Sequence, residues 1–174
     1  MDLVYRERGE GPPLLMLHGL FGSADNLGGI ARLLEPDFRT ISVDLRNHGR
    51  SPHADEMTYV AMASDVHALM GRLDIRRAHV FGHSMGGKVA MQLALDYPEQ
   101  VDKLVVADIA PVTYEHHHAP ILEGMQAVAN AKVSSRKEAQ EILQQFVHWK
   151  NGCQTSKCNP LQWKIIWQKL RLYT

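Results

Sequence analysis

Strand-like and helix-like spacings alternate along the chain as far as Asp108, and no other feature of the sequence restricts its fold as much. Leu14 to Leu17 is a continuous apolar run, as a strand buried on both faces demands. A turn signal, Gly9-Glu10-Gly11-Pro12-Pro13, precedes it, and Leu3 to Arg6 is a short strand before that. Arg39 to Val43 is a second buried strand; Ala78 to Phe81 and Leu104 to Ala107 follow. Between them the apolar residues change period. Leu27, Ile30 and Leu34 share one helical face, with Asp25 or Asn26 placed to cap it. Met62, Val66, Leu69 and Leu73 form another face, and Val89, Ala90, Leu93, Ala94 and Tyr97 a third, which Pro98 stops. The alternation predicts βαβ units and an α/β fold, a mostly parallel sheet with helices on both faces. In such sheets chemistry gathers outside the carboxyl ends of the strands. His18, Asp44, Ser84 and Asp108 each stand just past a strand.

The 174 residues suffice for one domain with a sizeable core. Lys+Arg and Asp+Glu are 19 each, so nothing in the net charge points to nucleic acid or an anionic membrane. The two cysteines make no disulfide framework, the N-terminus shows no basic start followed by an apolar core, and no apolar run is of membrane-spanning length. A cytoplasmic location and no membrane partner are expected; the sequence leaves the oligomeric state open.

The expected organisation is an α/β core over residues 1–112, a helical segment over 113–147 and an atypical tail over 148–174. Ile121, Met125 and Val128 mark one helix; Ser135-Arg136-Lys137-Glu138 is a capping box opening another, with Ala139, Ile142, Leu143 and Phe146 inward. No Asp or Glu follows Glu141, while Trp149, Trp163, Trp167, Cys153 and Cys158 all fall in the tail. Such a break marks an added interaction tail or a foreign reading frame, and the second is preferred. His148, Cys153 and Cys158 lack the spacing and the fourth ligand of a zinc site, so no metal is expected. Trp163, Ile166, Trp167 and Leu170 recur at helical spacing among basic residues, as in a helix lying on a membrane or in a partner's groove; a core-packed helix or an unselected tail is the plainer reading.

Gly82-His83-Ser84-Met85-Gly86 follows a strand and opens a helix, which turns a common short motif into a specific one. A serine on so tight a turn is lifted clear of the sheet, beside the positive end of a helix dipole. Ser84 is then the candidate nucleophile, and the Met85 N–H points where a tetrahedral oxyanion forms. A second donor is expected from the loop after the first buried strand, where His18-Gly19-Leu20 offers the Leu20 N–H. The alternatives are an N-cap serine after a glycine turn and an ordinary strand-to-helix loop. His18 is expected to hold the loop by hydrogen bonds.

Four segments carry a family resemblance: His18-Gly19-Leu20-Phe21-Gly22-Ser23, Asp44-Leu45-Arg46-Asn47-His48-Gly49-Arg50-Ser51-Pro52, Gly82-His83-Ser84-Met85-Gly86-Gly87-Lys88 and Asp108-Ile109-Ala110-Pro111-Val112. Over roughly residues 3 to 147 the chain resembles the YbfF-type esterases of the α/β-hydrolase superfamily, the group that includes α/β-hydrolase domain-containing protein 11. The resemblance implies an α/β-hydrolase fold followed through its sixth strand and the start of a helical cap. It implies hydrolysis of small carboxylic esters, including thioesters such as acyl-CoA, with no cofactor or metal. It gives Asp108 the role of the acid, and gives Asp44 a structural role around Arg46 and His48. It also implies a C-terminal histidine base in a Gly-His-Trp-like segment, and nothing in these 174 residues matches that segment. His116, His117, His118 and His148 are the histidines after Ser84, and a base role for any of them departs from the family pattern. The chain alone is therefore expected to be weak or inactive, and to end its sheet in an uncovered edge strand. A catalytically inactive, hydrolase-like binding module is the alternative.

Overall fold

The computed structural model describes residues 1–112 and 119–146, with nothing stated of the Arg136 side chain. They fall into two units, one ending at Pro111 and one beginning at Val112. The first holds a five-stranded sheet of β1 (Tyr5–Arg8), β2 (Pro13–Leu17), β3 (Arg39–Val43), β4 (Ala78–His83) and β5 (Val101–Ala107), in the order β1-β3-β2-β4-β5. β1 runs antiparallel to β3, and every other pairing is parallel. Helices α1 (Gly28–Leu34), α2 (Tyr59–Arg72) and α3 (Met85–Asp96) connect the parallel strands.

Side chains of a strand alternate between faces, and this decides which helix each residue meets. Leu15, Leu17, Ile41, Val43 and Val80 pack with Met62, Val66, Leu69 and Met70 of α2 and Val89, Ala90 and Leu93 of α3. Leu14 and Met16, with Phe38 and Phe81, pack instead with Leu27, Ile30, Ala31 and Leu34 around α1. The sheet is thus covered on both faces, as the continuous apolar runs require. Leu15, Leu17, Ile41 and Val43 are wholly buried. Cutting a buried Leu or Ile back to alanine costs about 2–5 kcal/mol.

β2 and β5 open earlier than expected, at Pro13 and Val101 rather than Leu14 and Leu104, and two further starts differ for reasons that hydrogen bonds and ion pairs show. β1 begins at Tyr5 because Leu3 is drawn into the core, while the Val4 N–H donates to Ser51 Oγ at 2.8 Å. The chain enters α1 through a 3-10 turn, Ala24–Leu27, whose N-cap is Ser23. The Ser23 N–H donates to Asn26 Oδ1 at 2.6 Å, and Asp25 pairs outward with Arg6 at 2.8 Å. Neither Asp25 nor Asn26 is the cap.

In the second unit, α4 (Ala119–Asn130) and α5 (Arg136–Phe146) pack through Val128, Ala139 and Leu143, with Met125, Val133 and Ile142 around them. Ser135 Oγ accepts from the Glu138 N–H at 3.2 Å. The Glu138 carboxylate reaches the Ser134 N–H at 3.0 Å, one residue earlier than a regular capping box places it.

Candidate active site

Ser84 stands between the last residue of β4 and the first of α3, with φ 51° and ψ −117°. A non-glycine residue held there costs about 1–3 kcal/mol and persists only where its surroundings fix it. Here the Ser84 N–H donates to the Ala107 carbonyl at 2.9 Å, and the Ser84 carbonyl accepts from the Gly87 N–H at 2.8 Å. The bend is possible because the backbones almost touch. A Cβ on Gly82 would collide with the Gly86 carbonyl oxygen, and one on Gly86 with the Leu17 carbonyl oxygen. Ser84 is half-buried, and its hydroxyl has no hydrogen-bond partner among the described residues.

The loop after β2 lies against this bend. A Cβ built on Gly19 would sit 3.3 Å from Ser84 Cβ and 3.1 Å from His83 Nδ1. Met85 opens α3, so its N–H has no acceptor one turn back in the helix. Neither the Met85 N–H nor the Leu20 N–H finds an acceptor among the described residues. The side chains of both pack in the larger core cluster.

Asp108 follows β5 with φ 59°. Its main chain is beside Ser84 through the Ala107 hydrogen bond, but its side chain is 77% exposed and lies 3.7 Å from His83 Nε2. The carboxylate therefore faces the histidine next to Ser84. No described histidine stands between Ser84 and Asp108 in the manner of a base. His116, His117, His118, His148, Cys153, Cys158 and the Trp163–Leu170 stretch lie outside the described residues. Among the described residues no group of three or more His, Cys, Asp or Glu side chains could hold a metal ion, and no helix is long and apolar enough to cross a membrane.

The model of the alpha/beta hydrolase fold matches residues 12–157. The chain belongs to the α/β-hydrolase family. Esterase YbfF of Escherichia coli strain K12 is 43% identical over 137 residues, which cover 78% of this chain and 54% of that protein. The sn-1-specific diacylglycerol lipase ABHD11 of Danio rerio is 41% identical over 156 residues, covering 83% of this chain and 48% of the lipase. Among solved structures, a marine microorganism esterase is 36% identical, with a TM-score of 0.82 over 96% of this chain and 63% of that one. The chain thus spans about half the length of the curated relatives it matches.

In this α/β-hydrolase a buried polar network holds the loops around Ser84. His18 Nε2 accepts from the Leu45 N–H at 3.1 Å while its Nδ1 donates to the Gly19 carbonyl at 2.8 Å, so the imidazole ties two loops together. The Asp44 carboxylate accepts from the Ala24 N–H at 2.6 Å and the Arg50 N–H at 3.1 Å, which is structural work. Arg46 lies beside Asp65 at 2.6 Å and donates to the Glu56 and Ala61 carbonyls. The hydrogen bond to Asp65 raises the Arg46 guanidinium above its ordinary value; burial lowers it, and the Asp65 and Glu56 charges raise it further.

Two features around Ser84 are not readable from the motifs. One is His83, whose ring reaches both Gly19 and Asp108. The other is a pattern of strain. Each of the four parallel strands is followed by a non-glycine residue with positive φ: Phe21, Asn47, Ser84 and Asp108. Asn and Asp adopt this region readily, whereas for an ordinary side chain it costs about 1–2 kcal/mol. Motif spacing carries no information about φ, so only an aromatic residue in a turn place that favours glycine could have hinted at it.

Proposed function

We propose that this chain is the nucleophile-bearing part of a serine hydrolase of small carboxylic esters or thioesters, acyl-CoA-like thioesters among them. Ser84 is the nucleophile, Leu20 and Met85 supply the oxyanion-binding amides, and Asp108 is the acid. The observation that carries this reading is the strained Ser84 bend, with an unpartnered hydroxyl beside the Gly19 loop. Acylglycerol esters enter the substrate class through the name of the Danio rerio relative.

Ser84 Oγ attacks the acyl carbon as its proton passes to a base, and the carbonyl oxygen gains charge facing two main-chain amides. Collapse expels the alcohol or thiol, and water then releases the acyl group from Ser84. A carboxylate such as Asp108 orients the base and stabilises it when charged. Both ring nitrogens of His18 are already engaged, and His83 faces Asp108, so neither is that base. The base is proposed to come from polypeptide matching the other half of the relatives. In a subtilisin, loss of the histidine costs about 10⁶ in turnover. Binding and the oxyanion hole still leave about 10³–10⁴ over water in such cases.

The test is p-nitrophenyl acetate turnover by the chain and by Ser84→Ala, with fluorophosphonate labelling of Ser84 followed by intact mass. Serine-dependent turnover, far below the ordinary enzyme range of about 1–10³ s⁻¹, is expected. Equal turnover by the two proteins, with no label on Ser84, sinks the hydrolase reading. That result favours a non-catalytic binding module, the reading that the lack of a base among the described residues would then support.

A further inference from the structure

Gly19 is where the loop after β2 meets Ser84, and two kinds of contact fix it there. The first acts on its carbonyl, which accepts from His18 Nδ1 at 2.8 Å and from the Gly22 N–H at 2.9 Å. The peptide after Gly19 carries this carbonyl and the Leu20 N–H, which point in opposite directions when the peptide is trans. The two hydrogen bonds therefore decide how that peptide is turned. They do not decide how far Gly19 stands from Ser84.

The second contact bears on that distance. His83 is the last residue of β4, on the strand face that Phe81 shares, and its ring is only partly exposed. A Cβ on Gly19 would lie 3.1 Å from His83 Nδ1 and 3.5 Å from His83 Cε1, besides its 3.3 Å to Ser84 Cβ. Gly19 is not one of the glycines with positive φ, so a side chain there is opposed by these neighbours and not by its own backbone. The far nitrogen of the ring, Nε2, lies 3.7 Å from Asp108 Oδ2. The imidazole thus stands with one edge on the loop after β2 and the other toward the residue after β5.

We propose that His83 is a positioning residue: its imidazole edge bears on Gly19 and sets the distance of the β2 loop from Ser84. The inference rests on the hydrolase reading above, in which Leu20 supplies an oxyanion amide, and deepens it by naming what holds that amide's loop in place. A misplacement of about 1 Å can cost about 10²-fold in rate. The role needs the Nδ1 side of the ring and not the Nε2 side that faces Asp108. Asparagine nearly reproduces the first and lacks the second; alanine lacks both.

The experiment measures kcat and KM for p-nitrophenyl acetate, and the thermal midpoint, for wild type, His83→Asn, His83→Ala, Gly19→Ala and the double variant Gly19→Ala/His83→Ala, with Ser84→Ala as the blank. His83→Asn is expected to keep kcat within about threefold and His83→Ala to lower it about tenfold, short of the roughly 10²–10³ for losing an oxyanion donor outright. KM should stay close to wild type in both, because the loop acts on the transition state. Gly19→Ala should lower kcat about tenfold or more beside the intact ring, and by less than about threefold once residue 83 is alanine, because the closest group opposing the new methyl is then gone. A ring that served folding alone would lower the thermal midpoint without this ranking of kcat. Asn as poor as Ala, His83→Ala as fast as wild type, or losses at 19 and 83 that simply multiply overturn the proposal, while turnover that still depends on Ser84 leaves the hydrolase reading intact. If Gly19→Ala does not fold, the Asn and Ala variants at 83 decide by the same ranking. A wild-type rate equal to that of Ser84→Ala overturns both.

Discussion

The two sides of the sheet are built differently. On the β1 side the outermost strand is Tyr5-Arg6-Glu7-Arg8, exposed throughout, and its charges are paired: Arg6 with Asp25, Glu7 with Arg39, Arg8 with Glu35. The loops behind it close over buried charge at Asp44, Arg46 and Asp65. On the β5 side the outermost described strand is Val101 to Ala107, with Leu104 39% and Val105 52% exposed. Charged edge strands resist pairing with other chains, and apolar ones invite it. β1 has the composition of a finished edge, and β5 that of an interior strand standing at an edge. The lesson is that the β1 side orders the loops around Ser84 through buried charge, while the β5 side holds the Ser84 main chain through Ala107 and leaves the Asp108 carboxylate mostly exposed.

The largest effect expected from this contrast is at Asp65. Its carboxylate holds Arg46 at 2.6 Å, and the α-ammonium of Met1 lies 3.0 Å from its other oxygen. Removing one partner of a buried pair strands the other charge, which costs about 3–5 kcal/mol. Asp65→Ala should lose that much in a urea unfolding titration. A loss under about 1 kcal/mol, the worth of an exposed pair, would mean the β1 side is no more firmly held than its surface ion pairs.

A smaller effect is expected on the β5 side. Val105→Lys places a cation on the exposed apolar strand and should leave unfolding free energy within about 0.5 kcal/mol, as for an ordinary surface change. What should change is association: concentration-dependent light scattering by the wild-type chain should fall in the variant. A wild type that stays monomeric as concentration rises, with no change in the variant, would break the contrast between the edges.

Much of this was legible in the sequence because it depends on local pattern. The continuous apolar run at Leu14–Leu17 and the strand expected at Arg39–Val43 became buried central strands, and helical spacing placed α2 and α3. The Ser84 bend was legible because glycine, strand and helix coincide within a few residues. What escaped depends on partners distant in the chain. Arg46 and Asp65 meet across a loop and a helix, and Ser51 Oγ captures the Val4 N–H and so delays β1. The cap at Ser23 was missed because Asp25 and Asn26 are equally good capping residues, and only the ion pair with Arg6 draws Asp25 away. Phe21 and His83 escaped because backbone handedness and ring contacts leave no periodic trace.

The smallest stability effect should be at Asp108, where the contrast is sharpest. Asp44 and Asp108 both follow parallel strands, yet Asp44 is buried on two main-chain donors, while Asp108 is mostly exposed and, among the described residues, pairs with His83 alone. A carboxylate so exposed adds little to folding, and Asn is as content with positive φ as Asp. Asp108→Asn should therefore leave the unfolding free energy within about 0.5 kcal/mol. If Asp108 instead supports the fold, the variant will be destabilised about as much as a lost charged hydrogen bond, about 1.5–3 kcal/mol. Chemical denaturation of wild type and variant separates the two. The first result leaves Asp108 without a folding role, as the proposed acid requires; the second makes it another structural carboxylate like Asp44.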